Sequence, residues 1–239
     1  MHLALSRGIL KGIFVAVTGT DVGKTAVACG IARCLEKRGA GPLVFKPFAS
    51  GSRADASRLK EAARSSQTPE EITPFFYREP LAPYAASKLG GEKFSLSALR
   101  RSIAAARSSG RFVVAEGAGG VAVPLGKDYF VRDLMKEMGF PALVVAHAGL
   151  GTLNHTLLTL ESLRRKNVEV LGIVLNFFDP GDLAARTNLL YFREKNIPVL
   201  AVLRRDPRLP RDHDLASALI SRSPLGRRLG SVASPQIIR

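Results

Sequence analysis

The tripeptide Gly23-Lys24-Thr25 follows Val15-Ala16-Val17-Thr18-Gly19-Thr20-Asp21-Val22 and leads into the small-residue run Ala26 to Leu35. An apolar β-branched run, a tight turn and a helix start, in that order, make a phosphate cradle, because the N–H groups of a helix N-terminus point at the anion. In such a cradle Lys24 lies against the outer phosphates and the Thr25 hydroxyl holds Mg²⁺. Gly19, Thr20, Asp21, Val22, Gly23, Lys24 and Thr25 therefore read as a nucleotide-phosphate loop. Its spacing is irregular. The ordinary motif is spelled G-x-x-x-x-G-K-[S/T], whereas Gly19 to Gly23 encloses only Thr20, Asp21 and Val22. If the loop has ordinary length, Thr18 takes the place of the first glycine, where a Cβ can obstruct the turn or the phosphate.

Five further groups carry chemistry. Lys46 ends an apolar run, where a lysine is costly unless it faces anions; between two phosphate-bearing reactants it would neutralise charge developing in transfer. The plain alternative is a lysine snorkelling to water. Glu116 ends another apolar run in the position of a second Mg²⁺ carboxylate, and Gly117, Gly119 and Gly120 behind it allow close approach of backbone to ligand. Asp55 either completes the metal site or caps a helix. Asn154, after the Gly149-Leu150-Gly151 turn, opens a helix whose exposed N–H groups suit a carboxylate, or else it is a cap. Asn176 closes a strand with a donor and an acceptor that can read an adenine edge or satisfy backbone. His147 and His155 lack any partner in a recognisable spacing and read as structural.

These residues need elements to hold them. Apolar runs of strand length recur at Ile13–Thr18, Leu43–Lys46, Phe112–Glu116, Ala142–His147, Val170–Asn176 and Val199–Leu203. Continuous apolar runs of this kind fit strands buried on both faces. Helical patterns lie between them at Lys24–Lys37, Asp55–Ser65, Ser95–Ser108, Val131–Met138, Leu153–Arg165 and Asp182–Glu194. Such alternation predicts a P-loop NTPase-like α/β fold, a mostly parallel sheet covered by helices on both faces. Ligands bind such sheets outside the carboxyl ends of the strands. The phosphate loop, Lys46, Glu116, Asn154 and Asn176 fall at or just after those ends, and Asp55 begins a helix soon after Lys46.

Composition sets the remaining bounds. The 239 residues predict a single domain with a large core, a short N-terminal extension over residues 1–12 and a basic C-terminal segment over 204–239. In the latter, Asp214–Ile220 reads as one short helix, and Pro224, Gly226, Gly230 and Pro235 among arginines read as a mobile tail. No run reaches the length of a membrane span, and the apolar patch within Met1–Gly12 is too short for a secretory signal, so a cytoplasmic location is expected. Cys29 and Cys34 form no disulfide or zinc pattern and read as small buried hydrophobes. The net charge of +15 attracts anions in general. There is no basic stripe interleaved with aromatic residues, which argues against specific nucleic-acid binding.

With these residues in view, the sequence resembles the ATP-dependent dethiobiotin synthetases from about Ile13 to about Leu203. The resemblance rests on Val17-Thr18-Gly19-Thr20-Asp21 running into Val22-Gly23-Lys24-Thr25, on Lys46-Pro47 with Ser50-Gly51, and on Glu116-Gly117-Ala118-Gly119-Gly120 followed by Val123-Pro124-Leu125. Glu79-Pro80 with Pro83, and Gly151 with Asn154-His155, also match. It implies a homodimer that closes a cyclic urea from 7,8-diaminononanoate, CO₂ and ATP with Mg²⁺. It further implies that Lys24 and Lys46 stabilise γ-phosphate and carbamate charge, and that Thr25, Asp55 and Glu116 hold Mg²⁺. By the same resemblance Ser50 and the Gly119-Gly120 backbone sit near the diamine. The N–H groups of Thr152, Leu153 and Asn154 receive the substrate carboxylate across the dimer interface, and Asn176 meets adenine. The chain departs from the family pattern by lacking two residues between Thr20-Asp21 and Val22-Gly23, and by carrying Ala201 and Arg204 where glycine and proline are usual. Two other readings share the fold: a related nucleotide-dependent amidoligase or ATPase, and a noncatalytic module whose short loop no longer holds triphosphate.

Overall fold

The computed structural model describes residues 10–89 and 94–230. Most of the predicted extension, residues 1–9, and the last part of the basic segment, 231–239, with its Pro235, lie outside the described residues. In chain order the elements are β1 (Gly12–Val17), α1 (Lys24–Lys37), β2 (Leu43–Phe45), β3 (Phe48–Ser50), α2 (Ala54–Ala63), α3 (Pro69–Ile72), β4 (Phe75–Tyr77), α4 (Pro83–Lys88), α5 (Leu96–Ser108) and β5 (Val113–Glu116). They continue with β6 (Pro124–Gly126), β7 (Tyr129–Phe130), α6 (Val131–Met138), β8 (Ala142–His147), α7 (Thr152–Arg165), β9 (Val170–Phe178), α8 (Leu183–Glu194), β10 (Val199–Arg204), α9 (His213–Ser221) and α10 (Pro224–Gly230).

Six strands form one parallel sheet in the order β10-β9-β8-β1-β5-β2. The chain runs from β1 to one side of the sheet, returns to β5 beside it, and only then moves to β8 on the other side. The order therefore reverses at β1, and the crevice at its carboxyl end is the natural ligand position. The register pairs Val15 with Glu116, which sets the end of β5 beside the loop that follows β1.

Side chains of β1 alternate between two cores, as the pleat requires. Ile13, Val15 and Val17 point to a layer built by α1, α2, α9 and α10. Phe14 and Ala16 point to the opposite layer, built by α5 to α8 with Phe48, Phe75 and Tyr77 of the small β3-β4 sheet. Helix α1 is the best-buried helix. Val27, Ala28, Ile31, Ala32 and Leu35 are all fully covered, and each large member contributes roughly 1.5–3 kcal/mol by leaving water. That burial fixes the helix whose first turn carries Lys24 and Thr25.

The C-terminal segment corrects one expectation. Residues 224–230 are helical, with Leu225 and Leu229 fully buried against the α1 layer, so this stretch is part of the core and is no mobile tail. A Cβ on Gly226 would lie 2.3 Å from the Ile220 carbonyl oxygen; only glycine lets α10 pack this closely on α9. Composition misled because prolines and arginines mask a short apolar face. Both cysteines are buried and free, as their pattern predicts. No described helix is long and apolar enough to cross a membrane.

Candidate active site

The loop from Gly19 to Gly23 turns sharply into α1. Asp21 and Gly23 have φ of 57° and 84°, so the short loop is accommodated by two left-handed residues. At Gly23 a Cβ would meet the Asn176 amide nitrogen at 2.1 Å. Replacing Gly23 by alanine combines that collision with a left-handed backbone that costs an L-residue about 1–2 kcal/mol. The expected result is a melting temperature lower by roughly 2–8 °C, measured by thermal denaturation.

Beneath the loop, three groups converge on one oxygen. Glu116 Oε1 accepts from Lys24 Nζ at 2.6 Å, Lys46 Nζ at 2.5 Å and the Thr25 hydroxyl at 3.1 Å. Glu116 is fully buried and Lys46 is 4% exposed, so Lys46 does not snorkel to water. Lys46 also lies 3.2 Å from Asp55 Oδ2. Burial alone would push the Glu116 carboxyl up, but the Lys24 and Lys46 ammoniums outweigh it and hold the group at about 2. For Lys24, burial is the largest influence and, with Lys46 nearby, lowers its pKa despite Glu116. For Lys46, burial is again largest, but Glu116 and Asp55 together overcome it and raise the pKa.

Asp55 is the second residue of α2, after Arg53 at the N-cap, and its carboxylate faces Lys46 and Arg58. The cap alternative for Asp55 is therefore excluded. Glu116 Oε2 is buried without a hydrogen-bond partner, a costly state that a ligand would relieve. The oxygens of Thr25, Asp55 and Glu116 are hard donors, the chemistry that suits Mg²⁺. Among the described residues no cluster of three or more His, Cys, Asp or Glu is set for a metal ion; Mg²⁺ sites usually take one or two carboxylates and complete the shell with phosphate and water.

Two clefts meet at this cluster. One, of about 380 Å³, is lined by Gly19 to Ala26 with Asp55, Arg58, Gly119, Phe177 and Pro210. The other, of about 410 Å³, is lined by Lys24, Lys46, Ser50 and Asp55, by Pro80 to Pro83, and by Gly119 and Val123. Thr20, Lys24, Asp55 and Gly119 belong to both. The Ser50 hydroxyl oxygen is buried without a partner. A cleft with the loop's N–H groups can seat a polyphosphate, and a reactant in the second cleft would face its terminal phosphate across Lys24 and Lys46.

Other predicted residues lie apart. Gly117 faces Phe14 and Val131 in the core, and Gly120 lines neither cleft. Thr152, Leu153 and Asn154 form the first turn of α7 after Gly151. Asn154 is exposed and caps nothing, and none of the three lines either cleft. Asn176 is 2% exposed and donates from Nδ2 to the Val22 carbonyl at 3.0 Å, which ties β9 to the loop. His147 Nδ1 accepts from the Gly149 N–H at 2.9 Å, a structural role. Arg58, Phe177 and Pro210 were not read from sequence. Arg58 was accessible to it, since it follows Asp55 by three residues on one helix face; Phe177 and Pro210 carry no local signal.

Comparison with known proteins bears on the family and the fold. Residues 11–215 match the family described as AAA domain. The chain is 43% identical over 198 residues to the ATP-dependent dethiobiotin synthetase of Endomicrobium trichonymphae, covering 81% of this chain and 91% of that protein. It is 45% identical to the synthetase of the same name from Bacillus licheniformis, covering 70% and 73%, and 44% identical to that from Anaeromyxobacter dehalogenans, covering 72% and 79%. The cell division protein FtsY of Thermotoga maritima superposes with a TM-score of 0.51 at 18% identity, over 92% of this chain and 71% of that one; this likeness concerns the fold alone. Identity of this level across most of both chains settles kinship: the chain belongs to the ATP-dependent dethiobiotin synthetase family.

Proposed function

We propose that this chain is an ATP- and Mg²⁺-dependent dethiobiotin synthetase of biotin biosynthesis, acting in the cytoplasm. The observation that carries the reading is the placement of Lys24, which lines both clefts, beside Lys46, which lines the second, with both ammoniums on Glu116. One amine of 7,8-diaminononanoate attacks CO₂ and loses a proton, giving a carbamate. A carbamate oxygen takes the γ-phosphoryl group as ADP leaves, and the second amine then attacks the carbonyl carbon and expels phosphate as the ring closes.

Phosphoryl transfer of this kind asks the protein for position and charge, with little covalent help. The Gly19–Gly23 backbone and Lys24 would hold the phosphates, and Lys46 would stand between carbamate and γ-phosphate. Ser50 and Gly119 would border the diamine. When bound by Thr25, Asp55 and Glu116, Mg²⁺ would neutralise charge on the phosphate oxygens.

A homodimer follows from the same reading. Leu150, Leu158, Leu183 and Leu190, at the start of α7 and along α7 and α8, are exposed, at 93%, 57%, 66% and 54%. A covering partner would remove them from water. The first-turn N–H groups of α7, outside this chain's clefts, would then be free to receive the substrate carboxylate in the partner's site.

The test is product formation. Purified protein with diaminononanoate, bicarbonate, ATP and Mg²⁺ is expected to release phosphate and form dethiobiotin, with Lys24→Ala as the inactive control. Product no greater than that control would sink the reading. ATP hydrolysis indifferent to the diamine would favour a related ATPase, and absence of Mg²⁺-ATP binding in calorimetry would favour a noncatalytic module.

A further inference from the structure

Arg58 stands at the phosphate cleft with no role in the reading above. It lies one helical turn beyond Asp55, so both side chains reach the same flank of the loop. Its Nη2 donates to Asp55 Oδ1 at 3.2 Å and its Nη1 to the Pro210 carbonyl at 3.1 Å. Its Nε is buried without a partner. Arg58 and Pro210 both line the cleft formed by Gly19 to Ala26.

The cations nearest the loop are otherwise committed. Lys24 and Lys46 both sit on Glu116, and the loop encloses fewer residues than the ordinary motif, which leaves fewer backbone N–H groups for phosphate. A guanidinium has five N–H donors, and Arg58 spends two on protein acceptors. Its remaining donors, the unpartnered Nε among them, suit a phosphate oxygen, the ligand class that this fork matches best. The Pro210 contact also ties the segment between β10 and α9 to the same side chain, so binding at Arg58 would hold that segment at the cleft mouth.

We propose that Arg58 is a nucleotide-binding residue: it takes a phosphate oxygen of the triphosphate and, through Pro210, fixes the 205–212 segment beside the nucleotide. The proposal rests on the ATP reading of the cleft. A purely structural arginine would join α2 to that segment and leave phosphate affinity alone.

Calorimetry separates the two, with ATP and inorganic tripolyphosphate as probes on wild type, Arg58→Ala and Arg58→Lys. Arg58→Ala is expected to weaken both probes about tenfold or more, as loss of a charged hydrogen bond does, and to raise KM for ATP while KM for the diamine stays within twofold. Arg58→Lys, which keeps the charge without the fork, should fall between. Unchanged affinity for both probes in Arg58→Ala, even with a lower melting temperature, overturns the proposal. So does a loss confined to ATP with tripolyphosphate unaffected, since the contact would then not be to phosphate. If wild type binds neither probe, the ATP reading itself fails.

Discussion

Replacing Glu116 by glutamine is expected to cost about 3 kcal/mol of stability at neutral pH and almost nothing near pH 2. The carboxyl ordinarily titrates near 4.5 and is held at about 2 in the fold, a difference equivalent to about 3 kcal/mol. Because the folded value is the lower one, the stabilisation is fully present above pH 4.5. It is lost as pH falls from 4.5 through about 2, where the wild-type carboxyl is half protonated. Below that point the glutamate and glutamine proteins face the same two ammoniums with a neutral group. Urea unfolding of both proteins at pH 7, 4 and 2.5 reads the gap directly. A gap that stays constant across this range would show that the two lysines do not act on Glu116 as charges. The cost at pH 7 agrees with the general penalty for removing one partner of a buried ion pair.

Replacing Lys46 by alanine is expected to lower kcat for dethiobiotin formation by about 10²–10³-fold, the usual loss when one preorganised charge is removed from a transfer site. Lys46 is buried and lies against both Glu116 and Asp55, so its ammonium cannot be replaced by bulk water. The loop backbone and Lys24 remain, and ATP affinity should change far less than kcat. Stability should also fall less than in Glu116→Gln, because Glu116 keeps Lys24 as a partner. Single-turnover phosphate release measures the chemical step apart from binding. A rate within tenfold of wild type would remove Lys46 from the transfer step.

Much of this arrangement was legible in the residues. The six parallel strands and the helices between them carry long apolar runs, and the structure shifts their ends by a residue or two. For example, Asp182 and Ser95 turn out to be N-caps, accepting from Ala184 and Ala98 N–H groups. The short pieces were not legible. β3, β4, β6 and β7 span two or three residues each, too few for a period to show. Helix α3 did have a signal that went unread: Thr68 and Glu71 form a reciprocal capping box, with Pro69 at the first helical position. The Lys24–Glu116–Lys46 cluster was legible as a helix-start lysine and two separate strand-end residues. Their meeting on one oxygen depends on the Val15–Glu116 register and on β5 inserting between β1 and β2, which no local pattern encodes. The contact of Arg58 with Pro210 is a similar case, since the two lie 152 residues apart.

The shared Glu116 oxygen makes the inner site an ion exchanger. The chain's net charge of +15 draws every anion toward its surface, but Lys24 and Lys46 already carry a counter-anion of their own. An incoming anion has to displace that carboxylate, so its gain is the difference between two ion pairs. A singly charged, well-hydrated anion such as chloride gains too little from that exchange to enter. On the proposed ATP reading, a polyphosphate would bring several charges at once and would leave Glu116 free to bind a cation in its turn. On that reading the glutamate would act as a valence filter, favouring a multiply charged anion over a single one at the two lysines.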